Sequence, residues 1–574
     1  MGSTKPQPHH PPSPSRPRMA LEMERLSSHG RGHLLHVLSS SRDNPPNLKM
    51  IRILLPLLAL AFSTLPVQSE TSASLAENNP AYDSLIIQHR GRLKPFLSFA
   101  QELTASLTGR TSVSLPMLGK ISSRQLILSL WLQPAGWENE PIILVEDPVL
   151  RKTLNLAPDT RHFPPRLLAT QPQLADLTRQ AEVARAAGPH NEIPHLAAAA
   201  QTVTLRLRLF SSLVSGEAFR MIPPPPASSA DAPWSPAKPS TPPAQLLDLQ
   251  KSAAISPSKI QLEVAYLKFH PFRLSWITWL LSSIVLLAAG RKKDSRLLSL
   301  GSALAWLGLF LLIAGFAIRV WISGRPPVTN MYESILWVAF GAGLFAVIFS
   351  IRHRTSIYLL AASPIIILAL IASDLQPAVL DPSLNPLVPV LRSNFWLTTH
   401  VLTITLSYGA FALATALAHF LIIRSIRSKT LPSIDDTWLM HLYRCLQIGV
   451  FLLAVGVILG GVWANYSWGR FWDWDPKETW ALIALMAYII LLHGRLGGWW
   501  GGYGLAVGSI ASFLTILMAW YGVNFVLGKG LHSYGFGNGG QLYVGLFALI
   551  EIAFLAFALF RRPVSTTSSA LKPR

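Results

Sequence analysis

The chain has 574 residues, 50% of them hydrophobic and only 14% charged, with a net charge of +20. Its mean hydropathy is positive, which excludes an ordinary soluble globular protein and argues for a polytopic membrane protein. The cationic excess lies in the N-terminal tail and in short loops between apolar runs, as membrane topology requires, and this argues against a nucleic-acid partner.

Residues 1–49 are rich in Pro, Ser, His and Arg, lack apolar periodicity, and read as a disordered tail. "MIRILLPLLALAFSTLPVQSE" follows from Met50. A positive charge, a short apolar run and small polar residues come in the order of a secretory signal, with a retained anchor as the alternative. Translation starting at Met50 would make the first 49 residues a mis-assigned extension. Residues 70–220 read as a soluble, mainly helical region: "RGRLKPFLSFAQELTASLTGR" has apolar residues at helical spacing, and strand signals are weak. Residues 221–258 contain "IPPPPASSADAPWSPAKPSTPP", and that proline density predicts an extended linker.

Nine apolar segments then follow, at about 272–290, 298–320, 333–351, 356–374, 394–423, 445–464, 479–493, 504–527 and 541–560. Most can cross a core of about 30 Å at 1.5 Å per residue. The fold class predicted is an all-α polytopic membrane protein, with a membrane domain over 272–560 and a cytoplasmic tail from 561 to 574. Alternate loops carry Arg291, Lys292, Lys293, Arg296, Arg352, Arg354, Arg424, Arg427, Lys429, Arg444 and Arg495. The positive-inside rule makes those loops cytoplasmic in the cytoplasmic membrane. The soluble region and "WGRFWDWDPKETW" (468–480) then lie outside. The one cysteine, Cys445, allows no disulfide within the chain and reads as a small buried residue.

Three features converge on that outer face: the tryptophan loop, His400 about six residues into the helix beginning near Asn394, and His532 in "GKGLHSYG". Tryptophans at a membrane interface commonly serve as anchors. Together with two flanking imidazoles, Trp468, Trp472 and Trp474 form a flat apolar shelf suited to a metallo-macrocycle such as haem. Haem propionates would want cations, and Arg319, Arg325, Arg392, Arg470, Lys477 and Lys529 are expected near this face. "DPKE" places Asp475, Pro476 and Glu478 as N-cap, N1 and N3 of the next helix, a capping arrangement rather than ligand contacts. His493 falls near the other end of that helix and suggests an inner haem station, with His419 at similar depth.

"WGRFWDWDPKETW" resembles the signature W-G-x-x-W-x-W-D-x-x-E of haem-handling cytochrome c assembly proteins. Together with "GRPPVTNMYESILW" (324–337), "SNFWLTTHVLTITLSYGAF" (393–411), "LLHGR" (491–495) and "GVNFVLGKGLHSYG" (522–535), it makes the chain similar to the CcsA (ResC) family of System II cytochrome c biogenesis. The resemblance implies that His400 and His532 ligate haem b at the outer face and that His493 binds haem within the membrane. It implies haem transport and covalent attachment to the Cys-x-x-Cys-His motif of an apocytochrome c, a synthase-type activity. The partners implied are a CcsB (ResB)-like protein, which supplies an opposing intramembrane histidine that His419 could replace, and a thiol-reducing system. Delivery of haem to a carrier without ligation, as in CcmC-like relatives, and a membrane scaffold without cofactor are the competing readings.

Overall fold

The apolar runs become helices whose ends are set by identifiable caps. The computed structural model describes residues 79–115, 118–187, 193–225, 228–229, 232–251, 256–375, 377, 379–387, 393–433, 435–527 and 540–563. The tail, the Met50 segment, His532, Arg392 and Lys529 lie outside the described residues.

The soluble part pairs eight short strands in four antiparallel two-stranded sheets. These are β1 (Ile86–His89) with β2 (Arg92–Pro95), β3 (Ser112–Leu115) with β4 (Gly119–Ser122), β5 (Ile143–Leu144) with β6 (His162–Phe163), and β7 (Arg220–Ile222) with β8 (Ser235–Pro236). Between them run α1 (Phe96–Thr108), α2 (Ser123–Leu132), α3 (Pro148–Thr153), α4 (Pro165–Ala169), α5 (Pro172–Ala186) and α6 (His195–Val214), followed by α7 (Pro243–Gln250). Phe96, Phe99, Trp131 and Phe219 fill their common core. The strands are two to four residues long, too short for alternation to show in the sequence.

The stretch expected to be an extended linker is largely folded onto this core. Trp234 and Ala237 are buried, and the Trp234 amide donates to Gln88 Oε1 at 2.8 Å. Gln250 accepts from the Ile86 amide and donates to the carbonyls of Ile86 and Met221. Proline density bars a central strand but leaves edge pairing open, and Pro236 takes that position.

The membrane part follows α8 (Pro257–Phe269), which ends at His270 in a left-handed conformation before Pro271 opens the next helix. The helices are α9 (Pro271–Lys292), α10 (Ser295–Ser323), α11 (Met331–His353), α12 (Ile357–Leu375), α13 (Asn394–Ser428, with a π-helical start over Leu397–Val401), α14 (Thr437–Trp468), α15 (Pro476–Leu496), α16 (Gly502–Leu527, π-helical from Met518) and α17 (Gln541–Phe560). Among the described residues nine helices, α8 and α9 counted together, are long and apolar enough to span a bilayer, and the chain is a multi-pass membrane protein. Asp294, Asn330, Asp436 and Asp475 cap helix starts. Lys293, Arg354 and Lys429 close helices in left-handed backbone at one end of the bundle, whereas Gly324 and Gly469 do so at the other. Cations at C-termini favour the helix dipole and offset the left-handed cost.

α13 is the central helix: its apolar window is 72% buried, against 11% for α17. It meets α11 at Gly409, where a Cβ would come within 2.8 Å of the Gly341 backbone. Against α14 its side chains enter glycine notches in turn: Phe411 at Gly449, Ile404 at Gly456 and His400 at Gly460. Small residues permit this close approach in apolar surroundings, where packing rather than water exclusion drives association.

The soluble part is tied to α8 by charge. Glu263 accepts from Arg92 and Ser98, and Lys268 pairs with Asp83 at 2.8 Å. Inside it, fully buried Lys94 donates to Glu102 at 2.6 Å. Partners His89 and Lys94 hold the Glu102 carboxyl below its ordinary pKa although burial pushes the other way. Lys94→Met strands a buried carboxylate, so it should destabilise the soluble part by about 3–5 kcal/mol. Limited proteolysis of the full chain should show earlier cleavage within 79–251; an unchanged profile would contradict the pairing.

Candidate functional site

His400 lies in the π-helical turn at the start of α13, a local widening often found at functional positions. Its Nδ1 is 2.8 Å from the Gly456 carbonyl of α14. A carbonyl can only accept, so Nδ1 carries the proton and the lone pair is on Nε2, the tautomer of a ligand histidine oriented by its second nitrogen. The half-buried ring lies against Gly460, where a Cβ would be 2.7 Å from Cε1. Trp463 meets it edge-on at 5.6 Å and is itself stacked on Trp396 at 6.4 Å.

The tryptophan loop leaves the same end of α14. Trp468 is the last helical residue, and Gly469 turns the chain at φ 72°. Phe471 folds back onto Gly461, next to the notch that holds His400. Trp472 and Trp474 form a perpendicular pair at 5.9 Å. Trp474 is 69% exposed and has φ 58°, unfavourable for a bulky residue by about 1–2 kcal/mol. Such strain persists only where neighbours over-determine it. Here the strap is the cap of α15: Glu478 accepts from the amides of Asp473 and Asp475, Asp475 accepts from the Lys477 amide, and Thr479 donates to the Trp474 carbonyl. The two acids therefore form the capping box read from "DPKE".

The expected cations divide sharply. Arg319 is buried in an ion pair with Glu333 at 2.6 Å and donates to Tyr266 and Pro382. Arg470 pairs with Asp473, and Lys477 donates to Asn524 in the π-helical part of α16 at 3.3 Å. Arg325 has a buried Nε without an acceptor.

His493 is 17 residues beyond Pro476 in α15, roughly 26 Å from the loop end. The structure therefore does not bring it to His400. Its Nδ1 donates to the Ile489 carbonyl at 2.9 Å, and it continues an exposed stripe with Ile483, Met486 and Ile490. His419 is different: Nδ1 faces the Thr415 carbonyl at 2.8 Å and Nε2 faces Glu551 of α17 at 3.0 Å. The second contact links α13 to α17. Cys445 is buried, as expected. Among the described residues no group of three or more His, Cys, Asp or Glu is placed to hold a metal ion.

Sequence reasoning missed the seat of His400. Gly456 and Gly460 are spaced one helical turn apart in "GVILGG", a small-residue signal for close helix approach, but nothing local says which side chain enters. Trp463 and Phe471 were missed for the same reason.

These features define a polytopic helical membrane protein with a tightly capped tryptophan loop and a seated imidazole at one end of its bundle. The family model described as "Cytochrome C assembly protein" matches residues 328–532, which include α11 to α16. Protein NrfI of Wolinella succinogenes is 30% identical over 548 residues, covering 85% of this chain and 59% of NrfI; the chain thus spans about three fifths of that relative. Cytochrome c biogenesis protein CcsA of Guillardia theta is 36% identical over 244 residues, 38% of this chain and 80% of CcsA. CcsA of Chlamydomonas reinhardtii is 34% identical over 236 residues, 40% of this chain and 66% of that protein. A solved structure of Cytochrome c Heme Lyase CcmF overlaps with a TM-score of 0.34 at 17% identity, over 51% of this chain and 49% of CcmF. The chain belongs to the cytochrome c assembly family.

Asp475→Ala removes the cap and one anchor of the strained loop. It should cost about 1 kcal/mol and speed amide hydrogen exchange at Lys477 and Glu478, measured by mass spectrometry. Unchanged exchange would mean that the loop is held by other contacts.

Proposed function

We propose that the chain carries haem b, as substrate, across the cytoplasmic membrane and presents it at the tryptophan-loop end to an apocytochrome c. The observation that carries this reading is the seating of His400 beside the tryptophan loop: Nδ1 is tied to the Gly456 carbonyl and the ring lies on Gly460, which fixes the orientation of the imidazole. His400 and His532 serve as axial ligands, Trp468, Trp472 and Trp474 as the shelf, and Arg470 as a nearby cation. The basic residues at the opposite end of the bundle support an extracytoplasmic loop face.

His493 forms the inner station. The exposed apolar stripe around it suits a CcsB/ResB-like membrane partner bringing a second imidazole. Attachment adds each cysteine S–H of the Cys-x-x-Cys-His motif across a haem vinyl group: a C–S bond forms, the vinyl π bond is lost, and the hydrogen ends on carbon without net redox change. Holding thiol and vinyl together supplies most of the acceleration. The thiols must arrive reduced, and the single cysteine here is buried, so reduction falls to a separate thiol-reducing system.

His400→Ala should lower haem recovered with the purified full chain by about tenfold or more and abolish covalent haem staining of a co-expressed apocytochrome c. Unchanged haem absorption would refute the ligand assignment; haem retained by the unaltered chain without any covalent staining would favour delivery to a carrier. Gly460→Ala places a methyl against the His400 ring and should shift the absorption bands of bound haem while leaving the protein in the membrane. Identical bands would argue against the glycine seat.

A further inference from the structure

His353 is the last residue of α11 and is exposed, whereas His441 lies one turn into α14 and is nine-tenths buried. Their rings come within 4.4 Å of each other, centre to centre, at an interplanar angle of 54°. Tyr358, at the start of α12, backs both: it meets His441 edge-on at 4.8 Å and lies 5.9 Å from His353. Neither imidazole makes a hydrogen bond among the described residues, and neither nitrogen of His441 is among the sealed, unpartnered atoms. A ring held by packing therefore brings its nitrogens to the surface, next to an exposed second ring. Buried polar side chains normally find a partner, and this one finds none among the described residues.

The spacing distinguishes what can bind. With metal–nitrogen bonds of about 2.0–2.1 Å, the centre of a ligating imidazole stands about 3.2 Å from the ion. Two imidazoles on opposite sides of one iron, as in a bis-histidine haem, would be about 6.4 Å apart, and two in adjacent positions on one ion about 4.5 Å. The 4.4 Å separation matches the second arrangement. A pair of neutral imidazoles in adjacent positions suits Cu2+, Ni2+ or Zn2+, with water in the remaining positions. Cys445, one turn beyond His441, is sealed in the core and takes no part. His353 stands at the C-terminal end of α11, where the helix dipole favours a cation. Arg352, Arg354 and Arg444, close to the pair in sequence, are exposed, so water and salt screen them.

We propose that His353 and His441 form a site for a divalent late-transition-metal ion at the end of the bundle marked by Arg354 and Lys429. The ion bridges α11 and α14, which both pack against α13. The site is separate from the haem-presenting end and does not depend on that reading: on α14, Gly456 follows His441 by 15 residues, roughly 22 Å along the helix.

The test titrates the purified full chain, without a histidine tag, with Ni2+ in a calorimeter and with Cu2+ followed by electron paramagnetic resonance. The unaltered chain should bind about one more Ni2+ than H353Q or H441Q. About one equivalent of Cu2+ should show the nitrogen hyperfine splitting of two imidazoles, and either substitution should remove it. H353Q alters an exposed side chain and should leave the fold and the absorption bands of bound haem unchanged, so it carries the test even if H441Q fails to fold. Histidines elsewhere, such as His9 and His10, bind equally in all three chains and cancel in the difference. Equal Ni2+ stoichiometry and identical Cu2+ spectra for the unaltered chain and H353Q overturn the site. Loss of the haem bands from a folded H353Q would also overturn it, because the histidine would then serve haem rather than a separate ion.

Discussion

The seating of one imidazole between two helices organises the loop face of this protein. His400 can occupy its place only because α14 presents a glycine where the ring lies and a bare backbone carbonyl one turn earlier. The same groove takes Ile404 and Phe411 further along, so the imidazole is the last knob in a row that also joins the central helix to its neighbour. The orientation of this imidazole and the packing of α13 on α14 are consequently one property. A change that loosens α13 against α14 would also turn the histidine.

The tryptophan loop shows how a short connection is held in one shape. Trp474 holds a backbone conformation that most residues avoid. It is kept there by the helix cap that follows, in which two carboxylates accept from the surrounding amides. The acids of this motif therefore act on geometry, and the indoles provide surface. A flexible loop of the same composition would lose its contact area to conformational entropy on every binding event.

Much of this was legible in the sequence because the signals are local. Among the described residues each of the nine apolar runs forms a helix, and "DPKE" announced its capping box. The position of His493 toward the far end of α15 follows from counting residues along a helix. What was not legible depends on contacts between distant segments. Gly456 and Gly460 receive a side chain from more than fifty residues away, Arg319 finds its partner across a helix connection, and His419 meets a carboxylate in the last helix. The proline-rich stretch after Met221 misled for a related reason: local stiffness predicts extension, but Trp234 and Gln250 find partners on the strands of a preformed core.

The central claim is that Nε2 of His400 faces iron at the tryptophan-loop end. An electron cryomicroscopy map of the full chain loaded with haem examines this directly. It should show the porphyrin beside Trp472 and Trp474 with its iron bonded to His400 Nε2 and Nδ1 still on the Gly456 carbonyl. Haem bound elsewhere, with the His400 ring keeping no contact to iron, would contradict it.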